Sequence, residues 1–418
     1  MSNVIFSALG RRAQAPQITR LMSMALETPG LLSLAAGFTD TSTLPVAAVQ
    51  AAATALDSTG APPEHLQYGT NAGRPGLRAA LAARLASQDG AGADPAALAA
   101  ASFITNGSQQ ALYLAMQVLC EPGDIVLVDR PSYFVFLELL GGLGVRARSM
   151  PTTDAGEIDG PALRALLDGM HASGERARLK AVYFISYFSN PSGRSLSAAD
   201  KTLLAETLAA ADCVVPVIED AAYRELWFGR PHDAPSVLAL PAWDAFPKLY
   251  LTTLTKPFAS GLKVGGGVCT DAAWLAAMLH VKGHQDFGSA NFNQAICEQV
   301  LVNGEFDRHL AALRPAYAEK MRTLHAALTE GGLAELGWSW GEPGGGLYLW
   351  LRGPEHVDTG FDGAFCRAAL EAGVLYVPGG LCFGDDAPRN RVRLSYGVLG
   401  GEPLREAGRR FVRAARSA

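Results

Sequence analysis

Between residues 103 and 218 the chain alternates short apolar, β-prone runs with longer helix-like ones, and this alternation restricts the fold more than any other feature. Phe103-Ile-Thr105 is followed by a helical pattern over 109–119, and Ile125-Val-Leu-Val128 by one over 133–140. The run 181–185 leads to a helical pattern over 198–210 and then to the run 214–218. Strands separated by helices of this length predict an α/β fold whose sheet is largely parallel and covered on both faces. Pro122-Gly123-Asp124 marks a helix-to-strand turn. A further apolar, β-branched run over 249–255 ends at Lys256, where Pro257 stops the chain from entering a helix. Residues 262–268 read as one more strand, glycine-rich where backbone approaches a ligand, and a long helical stretch is expected from about 293 to 328.

The 418 residues, 49% hydrophobic, suffice for more than one core. Residues 1–50, punctuated by Pro16, Pro29-Gly30 and Pro45, read as an arm with a short amphipathic segment over 18–26 and an apolar stretch over 31–36. Helical patterning begins in 45–56 and returns at 77–85. Residues 51–300 form the expected large domain. Residues 301–418, with runs at 346–350, 373–377 and 391–396, form a smaller α+β domain that packs with the arm.

A net charge of −5 argues against a nucleic-acid surface, which needs a basic face. Six scattered cysteines without a C-x-x-C pair read as reduced thiols rather than a disulfide framework or a metal site. No signal-peptide core follows Arg11 and Arg12, and no apolar run reaches the length of a membrane span, so a cytoplasmic protein is expected.

Several positions carry chemistry. Lys256 ends a strand in apolar surroundings that disfavour its ammonium form, and a neutral lysine attacks an aldehyde to form an imine. Thr105-Asn-Gly-Ser-Gln109 passes from strand to helix, where free N–H groups, the helix dipole, Ser108 and Gln109 suit a phosphate; an ordinary cap at Ser108 is the alternative. Asp220 closes a strand at the edge where open α/β sheets place ligand contacts, and a carboxylate there holds a pyridine nitrogen protonated, unless it is a helix cap. Tyr223 and the Asn190 amide are donors for a ring oxygen; a core phenol and a plain turn at Asn190-Pro-Ser-Gly193 are the alternatives. Tyr133 either stacks on a ring or packs in the core. Arg393 lies in an alternating run and suits an α-carboxylate, with Arg391 as the competing candidate and a surface ion pair as the plain one. Lys263 either balances a phosphate or is solvated. One pyridoxal 5'-phosphate molecule accounts for the whole set.

With those positions assembled, the chain resembles the fold-type I, pyridoxal-phosphate-dependent aminotransferases of class I/II, and looks most like the branch with 2-aminoadipate and kynurenine aminotransferases. Tyr68-Gly-x-x-x-Gly73-x-x-x-Leu77-Arg78, Thr253-Leu-Thr-Lys256, Pro343-Gly-Gly-Gly-Leu-Tyr-Leu-Trp350, Val377-Pro-Gly-Gly380 and Arg393-Leu-Ser-Tyr396 carry the resemblance. It implies a seven-stranded-type sheet in the large domain. It implies that Lys256 forms the internal imine and moves the proton, that Asp220 pairs with the pyridine nitrogen, and that Asn190 and Tyr223 hold the ring oxygen. Ser108, Gln109, Thr253 and Thr255 would cradle the phosphate, and Tyr68 would reach the phosphate of a neighbouring subunit in a homodimer with shared active sites. Gly37 would line the substrate entrance, and Arg20 would stand near the substrate side chain. The chain departs from the pattern at Lys263, where arginine is usual, at Ser186, where proline is usual, and at Phe188-Ser189, expected to alter a wall of the substrate pocket.

The implied activity is transfer of an amino group from an L-amino acid to a 2-oxo acid such as 2-oxoglutarate. An oxidase, decarboxylase or lyase on the same fold is the alternative. A cofactor-sensing regulator is disfavoured, because only a short arm without a basic recognition helix precedes residue 31.

Overall fold

The computed structural model describes residues 5–57, 63–90, 93–153 and 155–417. Seven strands form the main sheet: β1 (Ser102–Asn106), β2 (Ile125–Val128), β3 (Arg146–Ser149), β4 (Leu179–Ile185), β5 (Val217–Asp220), β6 (Lys248–Thr253) and β7 (Val264–Cys269). Their spatial order is β1-β7-β6-β5-β4-β2-β3. Only β7 runs against its neighbours, pairing antiparallel with both β1 and β6. The apolar runs are continuous rather than alternating because both faces are covered, and β2 and β5 are buried throughout. One core lies between the sheet and helices such as Gly107–Leu119, whose Ala111, Leu112 and Ala115 are fully buried. Another lies on the opposite face, where the helices Gly160–Ala172 and Ala198–Ala210 bury Leu163, Leu167, Leu204 and Leu208.

Three elements differ from expectation. The run 214–218 pairs only from Val217 to Asp220, because Pro216 has no N–H to give the ladder and Val214 is exposed. The helical stretch 293–328 is two helices, Asn291–Val302 and Glu305–Glu330, parted at Gly304, whose φ of +77° belongs to the left-handed region. Strand β3 was not foreseen; it is a polar edge strand paired to β2 alone.

The C-terminal part carries a second, antiparallel sheet: β8 (Ser339–Trp340), β9 (Tyr348–Arg352), β10 (Val377–Pro378) and β11 (Arg391–Ser395), in the order β10-β11-β9-β8. Side chains alternate along its strands. Leu349, Leu351, Val392 and Leu394 face a core with Phe365 and Phe411, while Tyr348, Trp350 and Arg393 take the opposite face, towards the main sheet. The amphipathic helix Gly401–Ser417 covers that core with Leu404, Ala407 and Phe411. Leu32–Ser33 of the arm pairs in parallel with Val374–Leu375, and Leu34 is buried in the same core. The helix Glu305–Glu330 spans both parts, with Phe306 and Leu310 in the main core and Leu324 and Leu328 in the second. Among the described residues no helix is long and apolar enough to cross a membrane.

Candidate active site

Parallel strands end on one edge of their sheet, and that edge collects the chemistry-bearing side chains. Asp220 is the last residue of β5, in register with Ile185 of β4 and Leu251 of β6. Three residues after β6 comes Lys256, and five after β4 comes Asn190. Two adjoining cavities, of about 150 and 190 Å³, open there and share Tyr133, Asn190, Tyr223, Thr255, Lys256 and Lys263 as lining. The first also takes in Ser108, Gln109, Asp220 and Thr253, and the second Gly37, Tyr348 and Arg393.

Lys256 is half-buried, and its Nζ donates to the Gly37 carbonyl at 2.6 Å. Burial pulls its pKa below the ordinary lysine value, and the positive charges of Arg393 and Lys263 act in the same direction. Asp220 is buried; burial pushes its carboxyl up to about 6. The Ala222 N–H at 3.0 Å and the Tyr183 hydroxyl at 3.2 Å donate to it and limit that rise. Ile218 faces Tyr183 directly across β5 and β4, so Asp220, two residues on, is its diagonal neighbour. Sequence reading missed Tyr183, although that register makes the contact inevitable.

Asn190 and Tyr223 meet at 3.5 Å, with the amide Nδ2 donating to the phenol, and the Tyr223 and Tyr348 hydroxyls lie 3.1 Å apart. Burial raises the Tyr223 pKa well above its usual value, so the phenol stays protonated and remains a donor. Tyr348, within a quoted motif but given no role from sequence, joins Tyr223 to the substrate-side cavity. Arg393 is fully buried; Nη1 donates to Asn190 Oδ1 at 3.0 Å and Nη2 to the Ala35 carbonyl at 2.5 Å. Its guanidinium carbon lies 4.4 Å from the Tyr348 ring centroid. Among the described residues no carboxylate pairs with Arg393, and its Nε has no partner. A buried guanidinium that faces a cavity without a counter-charge is expensive, and an anion in that cavity would relieve it. Arg391, two residues away, lines a different cavity.

The strand-to-helix corner fits a phosphate. The helix starts at Gly107, so Ser108 is its second residue and not its cap; Asn106, the cap residue, makes no capping bond. First-turn N–H groups therefore lack a capping side chain at a dipole end that favours anions. The Thr253 and Thr255 hydroxyls, 2.8 Å apart, stand beside it. Gly265 permits the approach: a Cβ there would lie 2.7 Å from the Ser108 nitrogen. Lys263, exposed and held at φ +58°, lines both cavities.

The remaining expected positions lie further out. Gly37 lines the substrate-side cavity, where a Cβ would meet the Tyr348 hydroxyl at 2.8 Å. Arg20 is exposed on the helix Gln17–Glu27 with its guanidinium 4.1 Å over the Phe361 ring, and Ile18 of that helix lines the cavity instead. Tyr68 is exposed, edge-on to Phe287 at 5.5 Å, outside both cavities. Phe188 does not form a wall of either cavity: it packs against Gly345 and Gly346. Ser189 lines the cavity that holds Arg391. The Ser186 hydroxyl donates to Glu219, a carboxylate fully buried against Lys201 at 2.7 Å, and so helps satisfy an ion pair that proline could not reach. Among the described residues no cluster of three or more His, Cys, Asp or Glu side chains suits a metal ion.

The model of the family described as aminotransferase class I and II matches residues 29–408. The chain is 33% identical over 405 residues to a 2-aminoadipate transaminase of Thermus thermophilus, covering 96% of this chain and 94% of that protein. It is 30% identical over 414 residues to aromatic-amino-acid aminotransferase 1 of Thermococcus litoralis, covering 97% and 92%. Among solved structures it resembles an alpha-aminoadipate aminotransferase, also of Thermus thermophilus, complexed with N-(5'-phosphopyridoxyl)-L-leucine. That match has a TM-score of 0.82 and 29% identity, and covers 99% of this chain and 97% of the other. The chain belongs to the class I and II aminotransferases, and is an enzyme of the fold-type I, pyridoxal-phosphate-dependent kind.

Proposed function

We propose that this aminotransferase moves an amino group from an L-amino acid to a 2-oxo acid, with 2-oxoglutarate as an acceptor, using pyridoxal 5'-phosphate held at Lys256. The observation that carries the proposal is a lysine with a disfavoured ammonium form lying between a buried carboxylate, Asp220, and a buried, uncompensated guanidinium, Arg393. When bound, pyridoxal phosphate supplies an aldehyde for condensation with amines and a ring that accepts the electron pair released at Cα. Asp220 holds a proton on the pyridine nitrogen. Tyr223 and Asn190 donate to the ring oxygen, and Tyr133 packs on the ring. The N–H groups at Ser108 and Gln109, the Thr253 and Thr255 hydroxyls and Lys263 hold the phosphate. Arg393 receives the α-carboxylate, Gly37 leaves room at the substrate entrance, and Lys256 Nζ takes the proton from Cα. Arg20 serves the substrate side chain only after a movement of its helix.

Tyr68 and Phe287, 78% and 68% exposed, support a homodimer in which Tyr68 completes the partner's phosphate site. The chain divides into an arm over 1–50, a large cofactor domain over 51–300 and a small domain over 301–418, and it works in the cytoplasm. The test is a panel of L-amino acids with 2-oxoglutarate, followed by glutamate formation and, in parallel, oxygen uptake and carbon dioxide release. Glutamate formed in proportion to the donor's oxo acid is the expected result. Oxygen uptake or carbon dioxide release without glutamate would overturn it in favour of oxidase or decarboxylase chemistry.

Arg393→Lys keeps the charge but loses the planar two-point contact. It should cost about 10- to 1000-fold in kcat/KM, on the order of 1.4–4 kcal/mol, for amino acids and much less for amines without a carboxylate. An equal loss for both substrate classes would assign Arg393 to packing. Lys263→Met should release the cofactor on exhaustive dialysis, read as loss of its visible absorbance, because the helix terminus supplies only part of the counter-charge. Retention equal to wild type would remove Lys263 from the phosphate site.

A further inference from the structure

The helix Gly107–Leu119 begins at the phosphate corner, and its cap residue, Asn106, is of a type that caps strongly. An asparagine there ordinarily accepts from the second or third N–H of the helix, here those of Ser108 and Gln109. These are the two donors that the proposed cofactor site reserves for the phosphate. Other helices on the main sheet are capped in the ordinary way: Asp159 accepts from the Ala162 N–H at 3.0 Å and Asp271 from the Trp274 N–H at 2.8 Å. Asn106 makes no such bond, and it lines the phosphate-side cavity.

Its amide is held elsewhere. Asn106 Nδ2 donates to Asp286 Oδ2 at 3.0 Å and to Gln110 Oε1 at 3.3 Å. Gln110 Nε2 donates to the same Asp286 oxygen at 2.9 Å, while its Oε1 accepts from the Asn106 backbone N–H at 2.9 Å. A carboxylate only accepts, so the Asn106 atom that faces Asp286 must be the amide nitrogen. With the nitrogen committed there, the amide oxygen is not free to swing to the helix N–H groups.

Asp286 stands against its own electrostatics. It is the last residue of the helix Ala272–Asp286, where the helix dipole disfavours a negative charge. It is also only one side chain removed from an anion site. Burial works against its charge too, but hydrogen bonds from Gln110 and Lys282 outweigh it and hold the carboxyl below its ordinary value. Lys282, whose side chain is fully buried, donates from Nζ to Asp286 Oδ1 at 3.0 Å, and the Gly288 N–H joins it at 2.9 Å. One carboxylate oxygen is thus fixed by its own helix end, and the other by Asn106 and Gln110.

We propose that Asp286 is a positioning residue of the cofactor site: it holds the Asn106 amide off the helix start and keeps the Ser108 and Gln109 N–H groups open to the phosphate. Gln110 assists as the second acceptor. The inference rests on the assignment of that corner to the phosphate of pyridoxal phosphate. Charge alone predicts the opposite effect of removing Asp286, since taking a negative group away from an anion site should tighten anion binding.

The test equilibrates the enzyme by dialysis against graded pyridoxal phosphate, and separately against pyridoxal, which lacks the phosphate. Bound cofactor is read by its visible absorbance. Asp286→Ala should weaken pyridoxal phosphate about 10-fold or more and leave pyridoxal within about 3-fold of wild type. Asp286→Ala/Lys282→Met removes the buried ion pair as a unit, leaves no unpaired charge and keeps the net charge; it should show the same loss. Adding Asn106→Ala to either variant deletes the competing cap and should restore pyridoxal phosphate binding to within about 3-fold of wild type. Asn106→Ala alone should bind as wild type. Equal or tighter pyridoxal phosphate binding in both Asp286 variants would overturn the proposal. So would an equal weakening of pyridoxal, which marks a loosened fold, or a loss that Asn106→Ala reproduces rather than restores. A wild-type enzyme that holds pyridoxal phosphate no better than pyridoxal would overturn the phosphate assignment itself, and the proposal with it.

Discussion

Lys256→Ala should lower kcat by about 10²–10⁴-fold or more while the protein keeps its fold and its phosphate cradle. The loss follows from position and protonation together. Lys256 leaves β6 three residues after its end and lies on the shared wall of both cavities, where burial holds its ammonium form back. An amine whose ammonium form is disfavoured reaches more readily the neutral form that attacks a carbonyl and takes up a proton. The other amine among the described lining residues is Lys263, exposed and fixed in a left-handed turn. In the proposed site it meets the phosphate and does not exchange roles with Lys256. Borohydride treatment of the wild-type enzyme, followed by peptide mapping, should put the cofactor label on Lys256. A label on Lys263, or a Lys256→Ala enzyme that turns over at the wild-type rate, would remove Lys256 from the chemistry.

Lys256 was legible because a local rule marks it: a β-branched run ends at a lysine and a proline follows. The same holds for Ala198–Ala210, where Ser197 and Asp200 form a capping box that sets the first turn. Strand β3 escaped because Arg-Ala-Arg-Ser has no apolar run and only a short alternation, and an edge strand paired on one side needs no more. The break at Gly304 escaped because helical periodicity continues on both sides of it, and only its positive φ separates the helices. In the site, residues tied to a strand end were readable, whereas Tyr183 and Tyr348 act through neighbours on other strands. Their contacts exist only once register is fixed. Tyr68 and Arg20 lie furthest from legibility. In a single chain both face solvent, and the roles proposed for them involve a second subunit and a moved helix.

Asp220→Asn should reduce kcat by about 10²–10³-fold, with a much smaller change in substrate affinity. The substitution keeps Oδ1 as the acceptor for the Ala222 N–H, removes the charge and replaces the Oδ2 that accepts from the Tyr183 hydroxyl with an amide donor, to which that hydroxyl can turn as acceptor. A residue that served as a cap would therefore tolerate it. A carboxylate that holds a proton on a ring nitrogen would not, because the negative charge developing at Cα in the transition state gains most from that proton. Stability supplies an independent reading with the opposite sign. Burial raises Asp220 from 3.8 to about 6 in the folded protein, so its charged form is disfavoured by folding. The penalty is absent below the unfolded value, grows as pH rises through the interval, and is complete above about 6. Cofactor-free Asp220→Asn should accordingly melt higher than cofactor-free wild type at neutral pH, and that gain should vanish as the pH falls below about 4. With the cofactor bound, a cationic ring nitrogen beside Asp220 favours the carboxylate, and the order of melting temperatures should reverse. An enzyme that is slower, more stable when empty and less stable when loaded is what a charge kept for catalysis predicts. Unchanged kcat with a lower Tm in both states would make Asp220 a structural cap and leave the ring nitrogen without a partner.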